Sequence, residues 1–391
     1  MASELTFSSW PAFSEEEVAC AVQVLRSNRV NYWTGDEGRQ FEIEFASFCN
    51  TQHAVALSNG TVALELALRA LEIGPGDEVV VTPRTFIASV SAIVMVGAIP
   101  VFADVDADSQ NITPATVTEA LTDRTRAIIA VHLAGWPCDM DGLMALADKH
   151  NLYVIEDCAQ AHGALYKGRP VGGLGHVAAW SFCQDKIMTT GGEGGMLTTN
   201  DPVIWERVWS FKDHGKAWDA VYNREHPAGF RWLHESFGTN ARMTEMQAAI
   251  GRIQLRKLPE WNENRRRNAW ILKECFQNIP VFRVTEVPES VLHAYYKYYV
   301  FVTPELLREG EGRDSIIDAV TKAGVPCFSG SCSEVYLEKV FEGTGFRPEE
   351  RLPVAKALGE SSLMFLVHPT LSQDEMVTMC SVVCEVMQRA P

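Results

Sequence analysis

Val177-Ala-Ala-Trp-Ser-Phe-Cys-Gln-Asp-Lys-Ile-Met-Thr-Thr-Gly-Gly-Glu-Gly-Gly195 changes character twice in one short stretch. It opens as an apolar, strand-like run to Phe182, places Lys186 in the loop that follows, and turns back through glycines. Upstream, the apolar run Leu152-Tyr-Val-Ile-Glu156 delivers Asp157, with Gln160 and His162 just beyond. A strand-end carboxylate and a loop lysine are the two protein groups that pyridoxal phosphate requires. The amine holds the aldehyde, and the acid keeps the pyridine nitrogen protonated so that the ring can accept electrons. Most lysines are solvated surface charge, so Lys186 alone says little; paired with Asp157 in this setting, it reads as a cofactor lysine.

Outward from this stretch, short apolar runs alternate with longer amphipathic ones. Strands are expected at 54–57, 78–81, 100–102, 127–131, 154–156 and 177–182, and helices at 61–71, 86–96 and 140–149. Helices of this length between strands impose crossovers and a mainly parallel sheet. Ligands of such sheets sit at the carboxyl ends of the strands, where Asp157 and the Lys186 loop both lie. Ahead of the sheet, Ser14-Glu-Glu-Glu17 is a capping box for a helix to about Arg26. After the loop Val30-Asn-Tyr-Trp-Thr-Gly35, another helix carries Phe41, Phe45 and Phe48. Beyond the sheet, Met243 to Leu255 reads as one helix and Pro259 as the start of the next. Tyr295 to Val302 reads as a strand, with helices over 313–323 and 373–387. The expected fold class is α/β: a large domain with a mainly parallel sheet over 1–255, N-terminal segment included, and a smaller α+β domain over 256–391.

A chain of 391 residues can support two such cores. Its 47% apolar and 21% charged residues describe an ordinary globular protein. The net charge of -16 argues against nonspecific binding to nucleic acid or a membrane surface, but not against an anionic substrate held by local cations and amides. Arg265-Arg-Arg267 is accordingly read as a solvated helix face. No apolar stretch reaches the ~18 residues of a membrane-spanning helix. The start, Met-Ala-Ser-Glu-Leu5, lacks the basic-then-apolar order of a secretory signal. The ten cysteines show no CxxC pair and no Cys/His spacing suited to zinc, so no metal is expected and reduced thiols in the cytoplasm fit. Cys380 and Cys384 read as one buried helix face, and Cys158 and Cys183 as small wall residues flanking the proposed site.

Three further patterns bear on chemistry. Ser58-Asn-Gly-Thr61 lies between a strand and a helix, where small residues and unpaired N–H groups suit a phosphate, with Ser181 as a hydroxyl donor. A plain strand-to-helix turn is the other reading. Phe86, after Arg84-Thr85, could stack on a cofactor ring or belong to the core. His132, His162 and His214 read as structural hydrogen-bonding groups.

Taken together, Ser58-Asn-Gly-Thr61, Glu156-Asp-Cys-Ala-Gln160, Ser181-Phe-Cys-Gln-Asp-Lys186, Gly192-Glu-Gly-Gly195 and Asn240-Ala-Arg-Met243 resemble the ordered motifs of the DegT/StrS-type sugar aminotransferases over nearly the whole chain. The resemblance implies a fold type I pyridoxal-phosphate enzyme, a homodimer with both sites at the interface. It makes Lys186 the cofactor lysine and Asp157 the partner of the ring nitrogen. Gln160 falls on the ring-hydroxyl side, Gly60, Thr61 and Ser181 at the phosphate, and Phe86 over the ring. Asn240 would reach the phosphate from the other subunit. One departure is Ala241, where many relatives carry a larger, often aromatic residue.

Within that family, Val30–Gly35, His132–Pro137, Gly229–Phe237 and Cys327–Glu334 resemble enzymes that aminate C4 of UDP-4-keto-6-deoxy-N-acetylglucosamine, with L-glutamate as donor, toward bacillosamine and protein glycosylation. Another keto sugar, amination at C3, or a cyclitol ketone would use the same cofactor residues. A sugar dehydratase of this type would carry His in place of Lys186. A noncatalytic cofactor-binding regulator would not react with glutamate.

Overall fold

The computed structural model describes residues 5–226, 229, 231–307 and 310–389. The initial Met1–Glu4 and Phe230, which the sequence reading used, lie outside them. A seven-stranded sheet runs through the large part of the chain in the order His53–Leu57, Gly195–Thr199, Val177–Ser181, Tyr153–Asp157, Thr125–Val131, Glu78–Val81, Ile99–Phe102. Gly195–Thr199 pairs antiparallel with both of its neighbours, and the other pairings are parallel. The expected mainly parallel sheet is therefore present, with one strand that the sequence reading did not place. Val177–Ser181 and Gly195–Thr199 form a hairpin, Ser181 opposite Gly195, and its long connection carries Lys186. At Gly191 and Gly192 that connection takes φ values of +86° and +126°, which a side chain would strain.

Most sheet strands are buried on both faces, as crossover helices require. Gly60–Ala70 and Ala88–Met95 cover one face with Leu64, Ala67, Leu68, Ala92 and Ile93. On the other face, Phe41 and Phe45 of the helix Glu37–Cys49 meet Trp180, Phe182, Ile187 and Met188. Ile187 and Met188 are fully buried directly after Lys186, so the lysine stands on an apolar anchor.

The second group of elements is built on a four-stranded antiparallel sheet, in the order Phe282–Arg283, Tyr298–Val302, Ser362–Phe365, Cys327–Phe328. Helices Arg313–Lys322 and Gln373–Arg389 pack on it. Joining the two groups is a single helix, Glu245–Phe276, with Pro259 inside. Two helices were expected there, because proline removes a ladder hydrogen bond and crowds the preceding turn. Burial outweighs that cost: Leu255, Leu258, Asn262, Arg265, Ala269, Leu272 and Phe276 form one continuous inward stripe. Residues 255 and 256 both lie within this helix.

The same stripe corrects the reading of Arg265-Arg-Arg267. Arg265 is 1% exposed, whereas Arg267 is exposed and Arg266 half-buried. Arg265 donates from Nη1 toward the carbonyls of Tyr295 and Tyr296, its Nε and Nη2 find no partner, and burial pulls its pKa down to about 9. It follows Leu258 by seven positions, so helical spacing already assigned it to the core face.

Candidate active site

At the carboxyl ends of the parallel strands opens a cleft of about 1020 Å³. Gly60, Thr61, Phe86, Asp157, Gln160, Ser181 and Lys186 all line it. Asn240 does not; it is exposed and stands outside its own chain's cleft.

Asp157, a residue 6% exposed, ends its strand on the cleft floor. Its Oδ2 accepts from the Ser89 hydroxyl at 2.8 Å and its Oδ1 from the Ala159 N–H at 3.1 Å. Ser89 in turn contacts the Thr85 hydroxyl at 2.9 Å. Among the described residues no cation pairs with Asp157, which leaves acceptor capacity for a protonated ring nitrogen. Gln160 is fixed by the Ala134 N–H on its Oε1 at 2.8 Å, and the amide nitrogen is the atom left to donate.

Gly60 opens the helix Gly60–Ala70 behind the cap residue Asn59, whose side chain accepts from the Val62 N–H at 2.9 Å. A Cβ at Gly60 would come within 2.7 Å of the Ser181 Cβ and 3.2 Å of the Trp180 carbonyl. Glycine is therefore required for the helix N-terminus to lie against Ser181. That contact brings a hydroxyl and helix N–H groups together where an anion is favoured. The donor set fits pyridoxal phosphate at both ends, with a buried acid for the ring nitrogen and a phosphate cradle walled by Gly60, Thr61 and Ser181. Phe86 is 67% exposed in the cleft wall, so the core reading of its ring is not the one realised.

The Lys186 amine lies 5.2 Å from the centroid of the Tyr296 ring, and the Tyr296 hydroxyl donates to Asp185. Burial tends to raise the Asp185 carboxyl, but the Lys186 charge and the Tyr296 hydroxyl outweigh it and hold the pKa below the usual range. Burial, with Arg265 and Lys186 as like charges, pulls Lys297 down to about 8. The Lys186 carbonyl accepts the Trp10 indole N–H at 2.8 Å.

Ser89, Asp185, Tyr296 and Trp10 were missed by the sequence reading. Ser89 alone carried a signal, one helical turn beyond Phe86. The second group of elements adds Gly330, Ser331, Cys332 and Glu338 to the cleft wall, within and just after the quoted run Cys327–Glu334. The other quoted runs lie elsewhere. His132–Pro137 is buried, and Trp232 and Phe237 are exposed outside the cleft. Trp33 donates to Asp213 at 2.6 Å, and Asp213 also binds Arg242 at 2.7 Å and bridges Asn240.

His132 is the structural hydrogen-bonding group expected, sharing a proton with Glu156 at 3.0 Å. His162 is not, since both ring nitrogens are buried without a partner. Its ring packs on Trp180 and Phe182, and burial, with the Lys186 and Arg265 charges, holds its pKa down to about 3. Cys183 lines the cleft, and Cys158 is buried.

Residues 11–384 match the DegT/DnrJ/EryC1/StrS aminotransferase family. The chain belongs to this family. A transaminase of Streptomyces venezuelae, dTDP-3-amino-3,4,6-trideoxy-alpha-D-glucose transaminase, is 36% identical over 96% of this chain and 93% of its own. An aminotransferase structure from Psychrobacter cryohalolentis superimposes with a TM-score of 0.96 at 58% identity, covering 98% of this chain and 99% of that one. A Streptococcus pneumoniae chain described as a sugar aminotransferase, solved in a PLP-form, gives a TM-score of 0.88 at 27% identity over 100% of both chains. The protein is a fold type I, pyridoxal-phosphate-dependent sugar aminotransferase. In this aminotransferase the cleft with Lys186 and Asp157 is the site that suits the chemistry. A second cleft of about 650 Å³, between the helix Glu15–Ser27 and the start of the long helix, is lined by Glu16, Glu37, Arg252 and Arg256 and lacks a lysine–aspartate pair. Among the described residues no helix is long and apolar enough to cross a membrane.

Proposed function

We propose that this aminotransferase moves the amino group of L-glutamate to C4 of UDP-4-keto-6-deoxy-N-acetylglucosamine, giving the 4-amino-4,6-dideoxy sugar for bacillosamine and protein glycosylation. The observation that carries the reading is the convergence of Lys186, Asp157 and the Gly60–Ser181 cradle in one cleft of about 1020 Å³. That volume lies at the upper end of the ~300–1000 Å³ usual for ligand pockets, which suits a nucleotide sugar beside a cofactor.

Bound pyridoxal phosphate supplies an aldehyde that captures amines and a ring that withdraws electrons from the donor Cα. Lys186 Nζ takes the proton from that Cα, and in the second half-reaction it delivers a proton to the sugar C4. Asp157 holds the proton on the ring nitrogen by opposite charge. Gly60, Thr61 and Ser181 bind the phosphate, Gln160 donates on the ring-hydroxyl side, and Phe86 stacks on the ring. Asn240 reaches the phosphate of a second subunit, which makes the working unit a homodimer with both sites at the interface. Its exposure outside its own cleft supports that role. We place the cofactor-holding unit at 1–255, the smaller unit at 256–391, and the enzyme in the cytoplasm.

The test is mass spectrometry of the purified protein with L-glutamate and the enzymatically prepared UDP-keto sugar, with Lys186→Ala as the variant that should form no product. An amino sugar together with 2-oxoglutarate supports the reading. A pyridoxamine spectrum with glutamate but no sugar product rejects this sugar and favours another ketone, including one aminated at C3 as in the Streptomyces relative's name. No reaction with glutamate rejects L-glutamate as the donor.

A further inference from the structure

Two thiols meet where the long helix ends. Cys275, next to last in Glu245–Phe276, and Cys384, on Gln373–Arg389, hold their Sγ atoms 3.3 Å apart. The seam pairs residues one helical turn apart on each side, Ile271 and Cys275 against Cys380 and Cys384. Cys380 Sγ contacts the Ile271 carbonyl at 3.7 Å, and Cys275 Sγ contacts the Cys380 carbonyl at 3.8 Å. Cys380 is buried, whereas Cys275 and Cys384 are each partly exposed. The pair thus lies on the accessible rim of a helix–helix contact that fixes its spacing. A disulfide has its sulfurs about 2.05 Å apart, so closure needs the side chains to approach by roughly 1 Å.

We propose that Cys275 and Cys384 form an exchange site for low-molecular-weight disulfides such as oxidised glutathione, closing to an intramolecular disulfide between the two helices. The thiolate of one cysteine attacks a sulfur of the small disulfide, forms a mixed disulfide and expels one small thiolate. The second cysteine gives its proton to solvent, attacks the protein-side sulfur and expels the other small thiolate. The protein loses two protons and two electrons, and the small disulfide is reduced to two thiols. Burial holds the Cys384 thiol up, to about 11, so exchange calls for excess oxidant and time. The bond encloses the four-stranded sheet together with the Gly330–Cys332 stretch of the cleft wall. Tying 275 to 384 restricts the unfolded chain over that whole span.

The experiment incubates the reduced full-length protein with excess oxidised glutathione, blocks remaining thiols with an alkylating reagent and maps peptides by mass spectrometry. The expected product is a cross-linked peptide pair carrying Cys275 and Cys384, lighter by two hydrogens than the two peptides together. It should vanish in Cys384→Ser and persist in Cys380→Ser. The oxidised wild type should melt at a higher temperature than the reduced form, and dithiothreitol should reverse the shift. Glutathione adducts elsewhere without this cross-link would overturn the proposal. So would a cross-link that survives Cys384→Ser but is lost in Cys380→Ser, or one that leaves the melting temperature unchanged. The wild-type peptide map decides the matter even where a variant folds poorly.

Discussion

Glu156 and Asp157 are neighbours on one strand, both acidic and both buried, yet their surroundings differ completely. Successive side chains of a strand point to opposite faces, so one residue's step separates two environments. Glu156 faces inward to donors alone: the His132 Nε2–H at 3.0 Å and the N–H groups of Gly172, Leu174 and Gly175 at 2.8–2.9 Å. His132 Nδ1 accepts from the Cys138 N–H at 3.1 Å, which puts the proton on Nε2. Burial pushes the Glu156 pKa up, but these donors outweigh it and hold it below the usual carboxylate range. Asp157 faces the cleft with two donors and capacity to spare. The lesson is that a saturated buried acid holds the fold together, while an unsaturated one is free to serve a ligand.

The comparison can be broken most severely at Glu156. Removing the carboxylate in Glu156→Ala strands four donors, and stability should fall by about 3–5 kcal/mol, the range for deleting one partner of a buried pair. Urea denaturation measures this, and a loss smaller than that of Asp157→Asn would reverse the assignment. Asp157→Asn should instead melt like wild type and lose rate. An adjacent opposite charge is worth about 1–3 pKa units to its partner, so turnover should drop roughly 10–1000-fold. A rate within a few-fold of wild type would remove Asp157 from the chemistry.

Acid sharpens the contrast. Because the folded pKa of Glu156 is lowered, its stabilisation is fully present above its ordinary value of 4.5 and is lost as pH falls through the folded value. The stability gap between wild type and Glu156→Gln should therefore narrow below that pH, as read by thermal melts across an acid series. A gap that stays constant would mean the carboxylate is not held ionised. The smallest effect is expected at Ser89→Ala, which removes one of the two hydrogen bonds on the Asp157 carboxylate and leaves its charge and the Ala159 N–H in place. Turnover should fall by up to about tenfold with little change in melting.

The Lys186–Asp157 pair was legible because Asp157 ends one apolar run and Lys186 lies in the loop just after another, and strand ends are where a parallel sheet offers its ligand site. The Ser58–Thr61 turn was legible from small residues at a strand-to-helix junction. Position along the chain could not reveal what arrives from far away. Trp10, Tyr296 and Gly330 reach the site or its lysine loop through tertiary packing and leave no local pattern. Arg265 was misread for the opposite reason, since three consecutive arginines suggest a solvated face by composition while helical spacing puts the first of them inside. Pro259 misled in the same way: its local preference was to break the helix, and a long buried stripe overrode it.

The Trp10 anchor has a consequence for the order in which the molecule is completed. Besides holding the Lys186 carbonyl, the Trp10 ring stacks on His368 at 6.3 Å. Next to it, the Ser9 carbonyl accepts from the Thr370 hydroxyl at 2.9 Å, and the Ser8 N–H donates to Glu375 at 2.5 Å. Residues 8–10 and 368–375 therefore fasten together against the Lys186 loop. During synthesis the lysine emerges long before residues 368–375 exist. The strap cannot close on a nascent chain that stops short of these residues, so the lysine loop gains this restraint only after the second group of elements has been made.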